Sequence, residues 1–143
     1  MIEFKNTILI NRPLQEVFSY ISDFENLPKW NHYVKDVAKL SDGPVGVGTT
    51  YHQTRNTDQQ RFKVVEFKLN KAVAIETLPP EKRLYMRFSF KTELNGTRVV
   101  DEWALEADTP GPIGWLAAKR VKFAVLQNLK KLKKLLETGQ ATL

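Results

Sequence analysis

Hydrophobic and polar residues alternate over much of this chain, and the alternation changes period twice. At the start, Ile2, Phe4, Ile8 and Ile10 alternate with Glu3, Lys5, Thr7 and Asn11, broken at Asn6 and Leu9. Period two predicts a first strand. Leu14, Val17, Phe18 and Ile21 then recur at helical spacing, and Pro13 suits the first helical position, where a missing N–H costs nothing. Leu27-Pro28-Lys29-Trp30 reads as the end of a second short helix or turn.

Period two returns after residue 34. Strands are predicted over 34–40, 49–55, 60–69, 72–77, 84–94 and 97–107. Between them lie Ser41-Asp42-Gly43-Pro44 with Gly46 and Gly48, Asn56-Thr57-Asp58, Asn70-Lys71, Pro79-Pro80 and Asn95-Gly96. The Asn95-Gly96 pair is the favoured sequence of a type I′ hairpin turn. The last element is one long helix over 112–136. Strand, two short helices, a six-strand meander and a closing helix give an antiparallel α+β fold in a single domain, 1–143. The sheet, of about seven strands, is expected to wrap around the C-terminal helix and enclose a cavity.

At about 100° per residue, Ala118, Val121, Val125, Leu129, Leu132 and Leu136 form one stripe of the last helix, the face expected to meet the sheet. Its first half is small and its second half is leucine. A cavity is therefore expected beside residues 115–125, unless large aromatics from the sheet fill that space. Leu84, Met86, Phe88 and Phe90 share one strand face, with Tyr85, Arg87, Ser89 and Lys91 on the other. In the next strand Val99, Trp103 and Leu105 share a face with Asp101. The apolar candidates for ligand contact are Phe88, Phe90, Trp103, Ala118, Val121 and Val125.

Asp101 is the odd member of its row. A buried carboxylate is costly unless paired or hydrated. Facing inward, it would orient a polar ligand group or exchange protons with a raised pKa. A bulge turning it outward, with Glu102 in its place or both exposed, is slightly favoured. Tyr51 is the second candidate for orienting a ligand or for proton chemistry. It alternates with His52, so only one of the two faces inward, and Trp30 suits closing a core.

Composition narrows the chemistry. With 42% apolar and 27% charged residues, the chain matches ordinary globular proteins and has enough residues for a real core. Cysteine is absent, which removes disulfides, thiolate metal sites and cysteine nucleophiles. His32 and His52 lack metal-ligand spacing, so no metal is expected. No nucleophile elbow or phosphate-binding glycine loop occurs, and no cofactor is expected. The N-terminus lacks the basic start and apolar run of a signal peptide, and no stretch approaches a bilayer span, so a cytoplasmic location is expected.

Arg12-Pro13, Val17-Phe18, Tyr20-Ile21, Asp23, Pro28 and Trp30 resemble the SRPBCC superfamily, the START-like and birch-pollen-allergen-like proteins, and within it the polyketide cyclase/dehydrase-like family. Gly43-Pro44, Gly46, Gly48-Thr49 and Pro110-Gly111-Pro112 extend the resemblance over nearly the whole chain. It implies a helix-grip fold with a cavity between the sheet and the last helix, used in most such folds for an apolar ligand. Lipid carriers, hormone receptors, aromatase/cyclases, quinone-binding proteins and chaperone activators share that fold. The first expectation is a binding module for a lipid, quinone or polyketide-like ligand. The alternatives are a cyclase/dehydratase-type enzyme and an interaction protein.

The net charge of +6 bears on the last alternative. Residues 112–138 carry seven basic side chains against Glu137 alone, while the rest of the chain balances 15 against 15. Most simply this is a solvated helix face. Leu116 and Phe123, however, lie opposite the core stripe among Lys119, Arg120, Lys130 and Lys134. They would meet an anionic membrane surface or a second subunit, or be covered by the loops at 42–48 and 79–82. Nucleic acid fits poorly, since no reading motif accompanies the charge.

Overall fold

The computed structural model describes residues 1–106 and 111–139. Seven strands form one antiparallel sheet: β1 (Ile2–Ile10), β2 (Val34–Lys39), β3 (Thr50–Arg55), β4 (Gln59–Lys68), β5 (Ala72–Thr77), β6 (Leu84–Glu93) and β7 (Gly96–Leu105). Their spatial order is β1-β7-β6-β5-β4-β3-β2, so β1 and β2 are the two edges. The helix α1 (Leu14–Ser22) and a 3₁₀ segment (Phe24–Lys29) carry the chain between those edges. The long helix α2 (Gly111–Glu137) packs along β1 on the sheet's inner face. This is the helix-grip α+β fold.

Local chemistry explains most boundaries. Pro13 sits one position before the first helical residue of α1, as its N-cap, and its carbonyl accepts from the backbone N–H groups of Glu16 and Val17. The Asp23 carboxylate accepts from Glu25 N–H and caps the 3₁₀ segment. Three hydrogen bonds between side chain and backbone tie α2 to β1 and the residue after it. Asn6 Nδ2 donates to the Lys122 carbonyl (3.0 Å), Lys133 Nζ to the Leu9 carbonyl (2.6 Å), and Asn11 N–H to the Glu137 carboxylate (2.7 Å). They fix the direction of α2: its middle lies beside the middle of β1 and its last turns beside the end.

The β6–β7 hairpin corrects one expectation. Glu93 pairs with Gly96, so the two-residue loop is Leu94-Asn95, and the positive φ (55°) falls on Leu94. Gly96 is required by a close approach instead. A Cβ there would stand 2.5 Å from the Ile10 carbonyl oxygen on β1. Two bulges also reset the alternation. One between Val34 and Asp36 lets both Val34 and Val37 face inward; another between Val64 and Glu66 turns Phe67 onto Phe18.

The core divides along α2. Val125, Leu129, Leu132 and Leu136 are buried against the sheet. Ala118 and Val121, nearer the start of the helix, are only half-buried. Phe18 of α1 packs edge-on against Phe90, and Trp30 closes over Phe88 in the same manner. Ala107, the last residue of the predicted strand 97–107, and Pro110, part of the resemblance motif, lie outside the described residues.

Candidate ligand pocket

Between the middle of α2 and the inner face of β2–β7 lies a pocket of about 360 Å³. Its apolar wall comes from Leu27, Val34, Phe62, Ile75, Leu84, Met86 and Trp103 on the sheet side, and from Val121, Ala124 and Val125 on the helix. Polar side chains occupy the remaining lining: Asn31, Tyr33, Gln53, Arg55, Gln60, Thr77, Arg120 and Asn128. Several of these are already committed to protein partners. Gln53 donates to Gln60 (3.3 Å), Asn128 accepts from His32 N–H (3.3 Å), and Arg55 forms a two-point bond with Asp58 (2.6 Å each).

The residues singled out from sequence separate into two groups. Trp103, Val121 and Val125 line the pocket; Phe88, Phe90, Asp101, Tyr51 and Ala118 do not. The pocket opens beside the Leu84–Met86 end of β6, whereas Phe88 and Phe90 sit farther along, where Trp30 and α1 fill the space. Tyr51 is fully buried, stacked on Phe62 at 5.0 Å with Phe24 edge-on at 5.6 Å. Phe62 lies between it and the pocket's contents, being the member of the pair that lines the wall. On the helix the lining runs from Arg120 to Asn128, about one turn later than the segment expected.

Asp101 faces inward, correcting the favoured outward orientation. The pairing of β7 with β1 and β6 is unbroken through residues 96–105, so no bulge turns it out. It is 1% exposed and stands opposite Asn6 on one side and Phe88 on the other. Its Oδ1 has no hydrogen-bond partner, and neither has the buried Trp103 Nε1 two residues on. Burial pushes the Asp101 pKa up to about 8; proximity of the Trp103 indole opposes this and the Glu102 charge adds to it. The group therefore holds its proton at neutral pH, as a hydrogen-bond donor rather than a base.

Tyr51 carries the same limitation. Burial first, then the charges of Asp23 and Glu25, push its phenol up to about 12. It stays protonated across the working range, and its hydroxyl has no partner. His52 points to the other face and shares a 3.0 Å hydrogen bond with Gln59.

Three polar lining positions carry a signal in the sequence. Gln53 and Arg55 follow Tyr51 at period two, so an inward Tyr51 carries both inward. Asn128 interrupts the apolar face of α2 one turn after Val125 and is itself buried. A polar residue at a core-facing helical position is a lining candidate. Phe62, Ile75 and Leu27 carry no such signal, because apolar lining and apolar core read alike.

The helix-grip fold is the one the resemblance implied, and the pocket lies between the sheet and the middle of α2. A sequence profile of the family described as polyketide cyclase / dehydrase and lipid transport matches residues 1–137. The chain belongs to that family. Solved structures agree on the fold. The protein TTHA0849 from Thermus thermophilus superposes with a TM-score of 0.77 at 21% identity, covering 96% of this chain and 98% of that one. The Aha1 dimer from Colwellia psychrerythraea gives 0.73 at 24% identity, covering 97% and 98%. Protein MLL2253 from Mesorhizobium loti gives 0.74 at 15%, covering 95% and 97%. At these identities the likeness shows the fold alone. No curated protein matches the chain by sequence. Among the described residues, no helix is long and apolar enough to cross a membrane, and no three His, Asp or Glu side chains gather as a metal site would require.

Proposed function

We propose that this family member binds a small, largely apolar molecule in the pocket between β2–β7 and α2, as a carrier or receptor. The observation that supports it best is the pocket's make-up: about 360 Å³, an apolar inner wall, and polar groups including Tyr33 and Arg120. Ligand pockets run from roughly 300 to 1,000 Å³, mostly apolar with a few placed polar groups. Tyr33 and Arg120 are exposed, and Arg55 stands among the lining residues with its charge shared with Asp58. An amphiphile with a carbonyl, hydroxyl or anionic end fits such a lining better than a plain hydrocarbon. The family's description, covering both polyketide cyclase / dehydrase and lipid transport, is compatible with that class of ligand.

One observation favours a second reading, cyclase or dehydratase chemistry. Asp101 is a carboxyl held protonated at neutral pH, beside a tryptophan that lines the pocket. It lies outside the lining, so it would act on a substrate only through a shift of Trp103. Tyr51 is a weaker candidate, shielded by Phe62 and protonated at neutral pH.

Native mass spectrometry of the purified protein, followed by organic extraction, tests the first reading. A discrete added mass that extracts as an apolar compound, and is lost in Val121→Phe, is the expected result. A clean mass, with no uptake from fatty-acid, quinone and polyketide-like probes, would overturn it. If instead a probe is converted, loss of turnover in Asp101→Asn with retention in Tyr51→Phe would favour the enzyme reading through Asp101.

A further inference from the structure

Ile113, Trp115, Leu116 and Phe123 are exposed, at 70, 61, 48 and 64%. All four fall within residues 113–123, the stretch of α2 that leads up to the pocket. At about 100° per residue, Leu116 and Phe123 share the sector turned away from Val125 and Leu129, and Trp115 stands at its flank, exposed near the start of the helix. Lys119, Arg120, Lys130 and Lys134 lie in that same sector. No acidic residue occurs from 111 to 136. The loops at 42–48 and 79–82 leave Leu116 and Phe123 open to solvent.

The face continues across the pocket's mouth. A groove of about 440 Å³ runs between α2 and His32-Tyr33, with Lys119, Arg120 and Phe123 on its helix side. It shares Tyr33, Arg120, Ala124 and Asn128 with the pocket lining. Lys119 Nζ lies 3.9 Å over the Trp115 ring, so a cation and an indole already occupy one spot.

We propose that this face, Trp115, Leu116 and Phe123 with Lys119, Lys130 and Arg120, docks on an anionic lipid surface. The chemistry matches on both counts. Tryptophan and tyrosine favour the headgroup level of a bilayer, where an apolar ring is buried and a polar edge stays wet. Lysine stems lie along such rings while their ammonium groups reach phosphates. An amphipathic helix with cations around an apolar strip lies in the plane of an anionic interface. A second copy is the weaker occupant, because a two-fold contact through this face would bring two helices of like charge together. Nucleic acid would use the cations and leave the apolar side chains unexplained. The docking does not depend on what the pocket holds.

Co-sedimentation with vesicles of phosphatidylcholine and phosphatidylglycerol tests this, with pure phosphatidylcholine as the control. Binding to the anionic vesicles at low salt, weakening as salt rises, is expected. Trp115 emission should shift to the blue, a change absent in Trp115→Phe. Neutralising Lys119 and Lys130 together as glutamine should lower partitioning about 25-fold, at about fivefold per cation. Phe123→Asp should abolish binding while its circular dichroism stays that of the parent. Absence of binding at low salt would overturn the proposal, as would binding indifferent to both variants. So would a concentration-dependent dimer that Phe123→Asp dissociates in a protein that ignores vesicles.

Discussion

Replacing Asp101 by asparagine should stabilise this protein at neutral pH and leave it nearly unchanged in acid. Asp101 is buried, Oδ1 lacks a partner, and its pKa is pushed to about 8. In the unfolded chain an aspartate ionises near ~3.9. Below about pH 4 both states hold the proton, and the group contributes no pH dependence. Between about pH 4 and 8 the unfolded chain releases the proton and the folded chain keeps it. The unfolded state then binds fewer protons, so stability falls as pH rises. At roughly 1.36 kcal/mol per pH unit, the loss by pH 7 is on the order of 4 kcal/mol. That is a large share of the roughly 5–15 kcal/mol that holds a domain folded. Asparagine keeps the shape and cannot ionise. Urea unfolding from pH 4 to 8, followed for parent and Asp101→Asn, measures the difference directly, provided the slope with urea is the same in both. The gap should be within about 1 kcal/mol near pH 4 and widen to several kcal/mol by pH 7. A gap that stays constant with pH would refute the reasoning, since it would mean that Asp101 is ionised, or hydrated, alike in both states.

Three further substitutions test other parts of the structure. Leu129→Ala, at a fully buried position where α2 meets the sheet, should cost about 2–5 kcal/mol in urea unfolding. Gly96→Ala should cost about 1–3 kcal/mol, because its Cβ would meet the Ile10 carbonyl oxygen at 2.5 Å; a neutral result would mean that β1 moves away freely. Leu94→Gly should stabilise by about 1 kcal/mol, since Leu94 holds a φ of 55° at an exposed turn, and thermal unfolding reads the gain.

The fold was legible because its signals are local and redundant. Period-two runs, a proline at the start of α1, turn residues between strands and a leucine stripe on α2 each specify one element, and they agree with one another. Boundaries failed where a long-range contact decided them. Asn95-Gly96 has the composition of a hairpin turn, yet the turn slid one residue back. Gly96 is needed inside the strand, against Ile10, and Leu94 accepts the positive φ instead. That requirement comes from β1, at the far end of the sequence, and no local pattern carries it.

The candidate site was half legible for a related reason. The inward row of β6–β7 runs Leu84, Met86, Phe88, Phe90 and Thr97, Val99, Asp101, Trp103, and alternation places all of them on one face. Whether a member of that row lines a pocket or fills a core depends on what lies over it. Trp30 covers Phe88 and Phe18 covers Phe90, while at the Met86–Trp103 end the apolar side chains the helix offers are the small Val121, Ala124 and Val125. The sizes along α2 therefore located the open end, but the closed end was set by α1 and the 3₁₀ segment, whose placement over the sheet is a tertiary fact. Asp101 falls at the junction of the two regimes: beyond the open end, beneath the helix, beside Asn6, which is bonded to the Lys122 carbonyl. A carboxyl at that junction is dry enough to keep its proton and near enough to Trp103 to be reached if the indole moves. The pH dependence of stability and the behaviour of Asp101→Asn toward ligand thus report on the same boundary, one from the side of folding and the other from the side of the pocket.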